Sequence, residues 1–159
     1  MPLFKKPSLN CALTGKSLLS TSHFNKGSAF PADERTAFDL HGLLPSAVHT
    51  LDQQIERAYA QYSVRTDNMA KNTFLASLKD QNEVLFYKLV STHLKEMMAI
   101  VYTPTEGAAI ERYSEIFRRP DGCFLEIGAV EKVEAVLSGW GGEEEVDYIV
   151  VTDGEEVSE

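Results

Sequence analysis

Between Val84 and Val101, apolar side chains cover most of the circumference of any helix drawn through them: Val84, Leu85, Leu89, Val90, Leu94, Met97, Met98 and Val101. A helix that is apolar on most sides has little face to give to water and must be enclosed by other elements. Asp80-Gln81-Asn82-Glu83 has capping-box spacing, with Asp in place of Ser or Thr, and predicts the start of this helix. Thr103-Pro104 predicts its end, because the residue before proline is driven out of the α region. The expectation is one central helix running to about Ile100, with other helices packed around it.

The enclosing helices are legible by the same logic. Thr50 is an N-cap candidate for a helix through about Tyr62, with Leu51, Ile55, Ala58, Tyr59 and Tyr62 on one face. Asp67 caps a second, with Met69, Phe74, Leu75 and Leu78 inward. Pro31 and Gly42 bracket a short helix from Ala32 to His41. Thr105 is read as the cap of a helix to Phe117, with Ala109, Tyr113, Ile116 and Phe117 inward. Residues 1–32 read as an extended arm ending at the Asn25-Lys26-Gly27 turn. Farther on, Cys123 to Ile127 reads as a short strand and Val130 to Leu137 as a helix. Val146 to Val151, β-branched and apolar on both faces, has the pattern of a buried parallel strand. A parallel strand needs a crossover of a dozen or more residues to its partner, so the pattern predicts the start of an α/β unit that is cut off. The expected fold is a mostly α-helical domain with short β-strands at its C-terminal end.

Composition narrows the function. With 15 Lys+Arg against 24 Asp+Glu, the chain lacks the basic face that a nucleic-acid grip requires. Eleven of those acidic residues and only one basic residue, Lys132, lie from Glu126 onward, which is the pattern of a solvated face. No apolar run reaches the length of a membrane span. Cys11 and Cys123 form no CxxC, and His23, His41, His49 and His93 show no metal-ligand spacing. No GxGxxG fingerprint is present. Residues 1–32 are rich in Ser and free of Asp and Glu, like a mitochondrial targeting segment. They hold no Arg, and Pro2 and Pro7 interrupt an early helix. The expected location is mitochondrial or cytoplasmic, not secreted.

Five ordered motifs point to a family. Phe24-Asn25-Lys26-Gly27-Ser28-Ala29-Phe30 with His41-Gly42-Leu43-Leu44-Pro45, then Asn82-Glu83 with Leu85-Phe86-Tyr87, resemble the opening of malic enzymes. Ile100-Val101-Tyr102-Thr103-Pro104-Thr105-Glu106-Gly107 resembles that family's most distinctive N-terminal motif. Phe117-Arg118-Arg119-Pro120 and Ile149-Val150-Val151-Thr152-Asp153-Gly154-Glu155 follow in the family's order. The resemblance implies an N-terminal arm (1–24) followed by an incomplete malic enzyme N-terminal domain (25–159).

It also implies a chemistry. Malic enzymes oxidise L-malate with NAD or NADP and release carbon dioxide to give pyruvate, with Mg2+ or Mn2+ polarising the substrate oxygens. A tyrosine in the motif protonates the enol carbon, and here that residue is Tyr102. A phenol carries its proton at neutral pH and can donate it. The family's general-base Lys, metal-binding carboxylates and dinucleotide domain lie beyond the matched stretch. The expectation is therefore that this chain alone binds no cofactor or metal and is inactive. The expected partners are further copies of itself or a full-length malic enzyme subunit, with neither nucleic acid nor membrane.

Three departures bear on that reading. Part of the family binds the activator fumarate at a subunit interface through two Arg and a Glu. Arg57 matches the first Arg, but Gln81 holds the second position and His49 the Glu position. Gln54, Arg57 and Gln81 are thus the candidate activator-site or dimer-interface residues, and fumarate activation is not expected with one cation missing. Glu156 stands where many members carry an Arg that engages malate or the cofactor. Val157-Ser158-Glu159 replaces the family's Gly-rich continuation, a pattern that a read-through splice donor would produce. The motifs fit two other readings as well: a non-catalytic dimerisation or regulatory module, and a fragment of a malolactic-type enzyme.

Overall fold

The computed structural model describes residues 11–141 and 146–152. They are mostly helical, and the chain divides into two compact units between Ala109 and Ile110. Glu143-Glu144-Glu145 and the positions from Asp153 onward, including Glu156 and Val157-Ser158-Glu159, lie outside the described residues.

The first unit is built on four helices: α1 (Leu51–Ser63), α2 (Asn68–Gln81), α3 (Glu83–Thr92) and α4 (Leu94–Val101). α3 packs against α1 and α2, and α4 against α2. Ile55, Ala58, Tyr62, Leu75, Leu85, Leu89, Met97 and Ile100 form one buried cluster. Full burial of a large apolar side chain stabilises by about 1.5–3 kcal/mol, so this cluster is the unit's main source of cohesion. Thr50 caps α1 as expected and does so within a full capping box, reciprocated by Gln53. Asp67 accepts from the Ala70 amide at 2.7 Å, as its position predicts.

The central helix differs from its prediction in two ways. Its N-cap is Asn82, which accepts from the Leu85 amide at 2.9 Å; Asp80 and Gln81 belong to the end of α2. Asn82 has extended geometry (φ −155°, ψ 92°), so α2 and α3 meet at a corner of one residue. The expected single helix is also broken at His93 (φ −116°, ψ 33°). The His93 ring lies flat on Tyr59, with centroids 3.9 Å apart and planes 8° apart, and the Tyr59 hydroxyl donates to Glu96 at 2.8 Å. These contacts to α1 sit at the break and three residues after it, so tertiary stacking overrides the apolar periodicity that reads straight through it.

Residues expected as an extended arm are partly helical. A short helix α5 (Gly15–Leu19) and a 3-10 turn (Gly27–Ala29) precede α6 (Ala32–Ala37). Leu18, Phe30 and Leu40 form a second buried cluster. Arg35, also buried, donates to the carbonyls of Phe30 and Pro45 at 2.7 Å each, and at longer range to those of Ser28, Ser46 and Ala47. One guanidinium thus holds the loop after α6 against the turn before it.

The stretch from Thr105 onward departs most from expectation. Helix α7 (Thr105–Glu111) stops well short of Phe117, whose side chain is fully exposed rather than inward. Tyr113 sits in a 3-10 turn (Tyr113–Glu115) and is exposed. The helix expected from Val130 begins as a 3-10 segment (Ile127–Lys132), kinked at Ala129, and becomes α8 only over Val133–Ser138. Neither expected strand, near residue 125 or residue 149, is formed among the described residues. A strand exists only as part of a hydrogen-bonded ladder, and among the described residues no segment pairs with either of them. Tyr148, Ile149, Val150 and Val151 are exposed.

Candidate functional site

Tyr102 is presented by the end of one helix and the start of the next. It caps the C-terminus of α4 with extended geometry (φ −135°, ψ −159°), and its side chain is 62% exposed. Its amide donates to the Met98 carbonyl at 3.0 Å, and its carbonyl accepts from the Glu106 amide at 2.9 Å. Thr103-Pro104, a cis peptide, separates the helices. Thr105 does not cap α7 from outside as expected. It is the first residue of that helix, it is buried, and its hydroxyl donates back to the Ala99 carbonyl at 2.7 Å. Asn72 on α2, only 4% exposed, donates its amide to the Ile100 carbonyl and to a Glu106 carboxylate oxygen, both at 2.7 Å. The loop therefore offers a phenol to solvent on a backbone tied down at both ends.

Gln54, Arg57 and Gln81 come together elsewhere in the first unit. They line one cavity of about 420 Å³. Gln61 of α1, Ser77 of α2 and Ser28 from the turn before α6 add polar atoms, while Phe74, Leu78 and Leu85 supply apolar wall. Gln54 is fixed by its amide, which donates to the Lys26 carbonyl at 3.2 Å. Gln81 donates to the Ser77 hydroxyl at 3.1 Å, and its carbonyl accepts from Asn25 at 2.9 Å. Gly27 (φ +54°) lies close enough that an added Cβ would sit 3.5 Å from the Gln54 side-chain oxygen. Arg57 is the only charged residue among the lining side chains, and it is exposed. His49 and Tyr102 are not among the lining residues. Ser28, Gln61 and Ser77 were missed by sequence reasoning. Gln54, Arg57, Ala58 and Gln61 fall at i, i+3, i+4 and i+7 of one helix face, and Ser77 and Gln81 at i, i+4 of another. That spacing was the available signal.

No group of three or more His, Cys, Asp or Glu among the described residues is arranged to hold a metal ion. No helix among them is long and apolar enough to cross a membrane.

Comparison with known proteins supplies what geometry does not. Residues 79–158 match the family model of the malic enzyme N-terminal domain. The mitochondrial NAD-dependent malic enzyme of Saccharomyces cerevisiae is 49% identical over 147 residues, covering 92% of this chain and 22% of that protein. NAD-dependent malic enzyme 1 of Vibrio vulnificus is 46% identical over 153 residues, covering 96% of this chain and 27% of the relative. The NAD-dependent malic enzyme of Schizosaccharomyces pombe is 42% identical over 158 residues, covering 98% and 28%. The chain thus spans about a quarter of the length of the curated relatives it matches. With half of its residues under the family model and the motif around Tyr102 within that half, this chain belongs to the malic enzyme family.

Proposed function

We propose that this chain is the N-terminal part of an NAD-dependent decarboxylating malate dehydrogenase, in which Tyr102 is the acid that protonates carbon. NAD follows from the relatives' names, and L-malate to pyruvate and carbon dioxide from the family's chemistry. The observation that carries the reading is Tyr102: a phenol in the family's motif, at a helix end, exposed and held by backbone bonds on both sides. After loss of carbon dioxide, the enolate's carbon takes the phenolic proton, the C=C electron pair becomes the new C–H bond while a pair on the enolate oxygen closes the C=O of pyruvate, and the phenolate must recover a proton before the next turnover. The metal, the base that takes the hydroxyl proton and the dinucleotide are held by the remainder of the family's length, so no step through them is assigned to these residues. The isolated chain is then inactive, and it works as part of an oligomer in a mitochondrial or cytoplasmic enzyme. The cavity of Gln54, Arg57 and Gln81 lies at a subunit interface in that assembly. Its single cation suits one carboxylate rather than two.

The test is a chimera. The 147 matching residues of the Saccharomyces cerevisiae enzyme are replaced by those of this chain, and malate-dependent reduction of NAD is followed at saturating substrate. The chimera turns over, the isolated chain does not, and Tyr102→Phe lowers kcat by about 10²–10⁴-fold, the usual worth of a positioned general acid. A Tyr102→Phe chimera within threefold of its parent would overturn the assignment.

A further inference from the structure

We propose that Asn72 is the positioning residue for Tyr102, acting as a two-pronged clamp together with Glu106. The proposal rests on the reading of Tyr102 as the acid, but its structural half can be tested without it.

The last turn of any helix leaves carbonyls with no intrahelical donor. At the end of α4, Met98 is satisfied by the Tyr102 amide, Ala99 by the Thr105 hydroxyl and Ile100 by the Asn72 side chain. Two of these three donors are side chains, and the one from Asn72 comes from a different helix, α2. The same Asn72 nitrogen reaches the Glu106 carboxylate in the first turn of α7. Both partners are acceptors, so the amide nitrogen and not its oxygen must face them. Positions 100 and 106 bracket Tyr102. A single NH2 group, anchored on a helix whose Leu75 sits in the core cluster, therefore fixes the span of the loop that carries the phenol.

The chemistry gives that span a purpose. Tyr102 is exposed, so packing does little to fix its ring and the backbone beneath it carries the placement. Proton transfer to carbon needs the donor within hydrogen-bond reach of the reacting atom. A misplacement of about 1 Å can cost about 10²-fold in rate. Asn72→Asp tests the clamp most sharply. It keeps the side chain's shape but removes both donated bonds and sets a carboxylate against a carbonyl and a second carboxylate. Glu106→Leu removes one prong from a partly exposed position. Glu106→Gln keeps an oxygen that can accept from Asn72.

The experiment has two readouts. In the 159-residue chain, amide hydrogen exchange is measured by NMR at Tyr102 and Glu106, with α1 amides as reference. Asn72→Asp and Glu106→Leu are expected to accelerate exchange at both loop amides by at least about tenfold over the reference, while Glu106→Gln leaves it unchanged. Acceleration spread evenly over α1 and the loop, or none at the loop, overturns the proposal, since Asn72 would then be an ordinary buried residue. In the chimera, Asn72→Asp and Glu106→Leu are expected to lower kcat by about 10- to 100-fold with KM for malate within twofold, and Glu106→Gln to restore it. Should Asn72→Asp fail to fold, Glu106→Leu against Glu106→Gln decides both readouts. Selective loop exchange with a fully active Asn72→Asp chimera overturns the catalytic half if Tyr102→Phe is inactive. If Tyr102→Phe is active too, the clamp stands and the reading of Tyr102 fails.

Discussion

Replacing Arg35 is expected to loosen the first unit from its N-terminal side. Its guanidinium is buried and gives its hydrogen bonds to backbone carbonyls, two of them at 2.7 Å. A hydrogen bond to a charged group contributes about 1.5–3 kcal/mol net. The three longer bonds, at 3.2–3.4 Å, add little. Arg35→Met therefore forfeits about 3 kcal/mol from the two short bonds at the lower value. It also strands the Phe30 carbonyl beside a buried ring, while the exposed Pro45 carbonyl can turn to water. The value per bond is net of taking the guanidinium out of water, so no separate desolvation term is set against it. Arg35→Lys, with the charge but without the fork, should recover less than half of the loss. The assay is urea unfolding of the 159-residue chain followed by circular dichroism at 222 nm, since the described helices lie mainly in the first unit. A drop of about 3 kcal/mol for Arg35→Met supports the argument. A variant as stable as the parent would refute it, and would mean that burying the charge costs as much as the cage returns.

Two further outcomes follow from the same structure. Burial, and after it the charge of Glu96, holds the Tyr62 phenol above its usual 10.0, and its hydroxyl has no hydrogen-bond partner among the described residues. Below about pH 10 the folded and unfolded chains both keep that proton, so stability is unaffected; above it the unfolded chain ionises first, and stability falls as pH rises towards the folded value. Tyr62→Phe should remove that alkaline loss and leave neutral-pH stability equal or higher, and a Tyr62→Phe variant clearly less stable at pH 7 would show that the hydroxyl has a partner in solution. The second unit should associate, because Tyr148, Ile149, Val150 and Val151 are exposed together, and the first three line an apolar groove of about 630 Å³ with Leu137 and Trp140. Sedimentation of the 159-residue chain should show concentration-dependent oligomers that Val150→Lys reduces, and a monodisperse monomer would contradict this.

Where the sequence read well, local chemistry decided the outcome. Thr50 and Asp67 cap their helices because short polar side chains before an apolar-periodic run have few better uses. Where it read poorly, a distant partner decided. The apolar pattern runs unbroken through His93, yet the chain breaks there against the ring of Tyr59, 34 positions earlier in the sequence. Asp80 and Asn82 are both good caps, and spacing alone favoured Asp80. The choice fell on Asn82, where the Glu83 amide also donates to the Ser22 carbonyl and Asn25 reaches the Gln81 carbonyl. Those ties come from a segment expected to be an arm. Val146 to Val151 has strand composition, but β-propensity measures fit to a neighbouring surface. Without a ladder the same residues stand exposed.

The candidate site divides along the same line. Tyr102 was legible because its motif is contiguous, and the helix break at Thr103-Pro104 that presents it follows from proline's effect on the preceding residue. The cavity was half legible: Gln54, Arg57 and Gln81 were named, and their convergence joins two helix faces and the turn at Ser28. Asn72 was invisible. Nothing in a helix reading Asn68-Met69-Ala70-Lys71-Asn72 marks one amide out, because what distinguishes it is the pair of acceptors it meets 28 and 34 positions later. A polar residue buried on a helix face is costly unless both its bonds are made. An Asn on an inward helix face is satisfied here only because a later loop comes back to use it. In this chain the loop that comes back is the one that carries Tyr102.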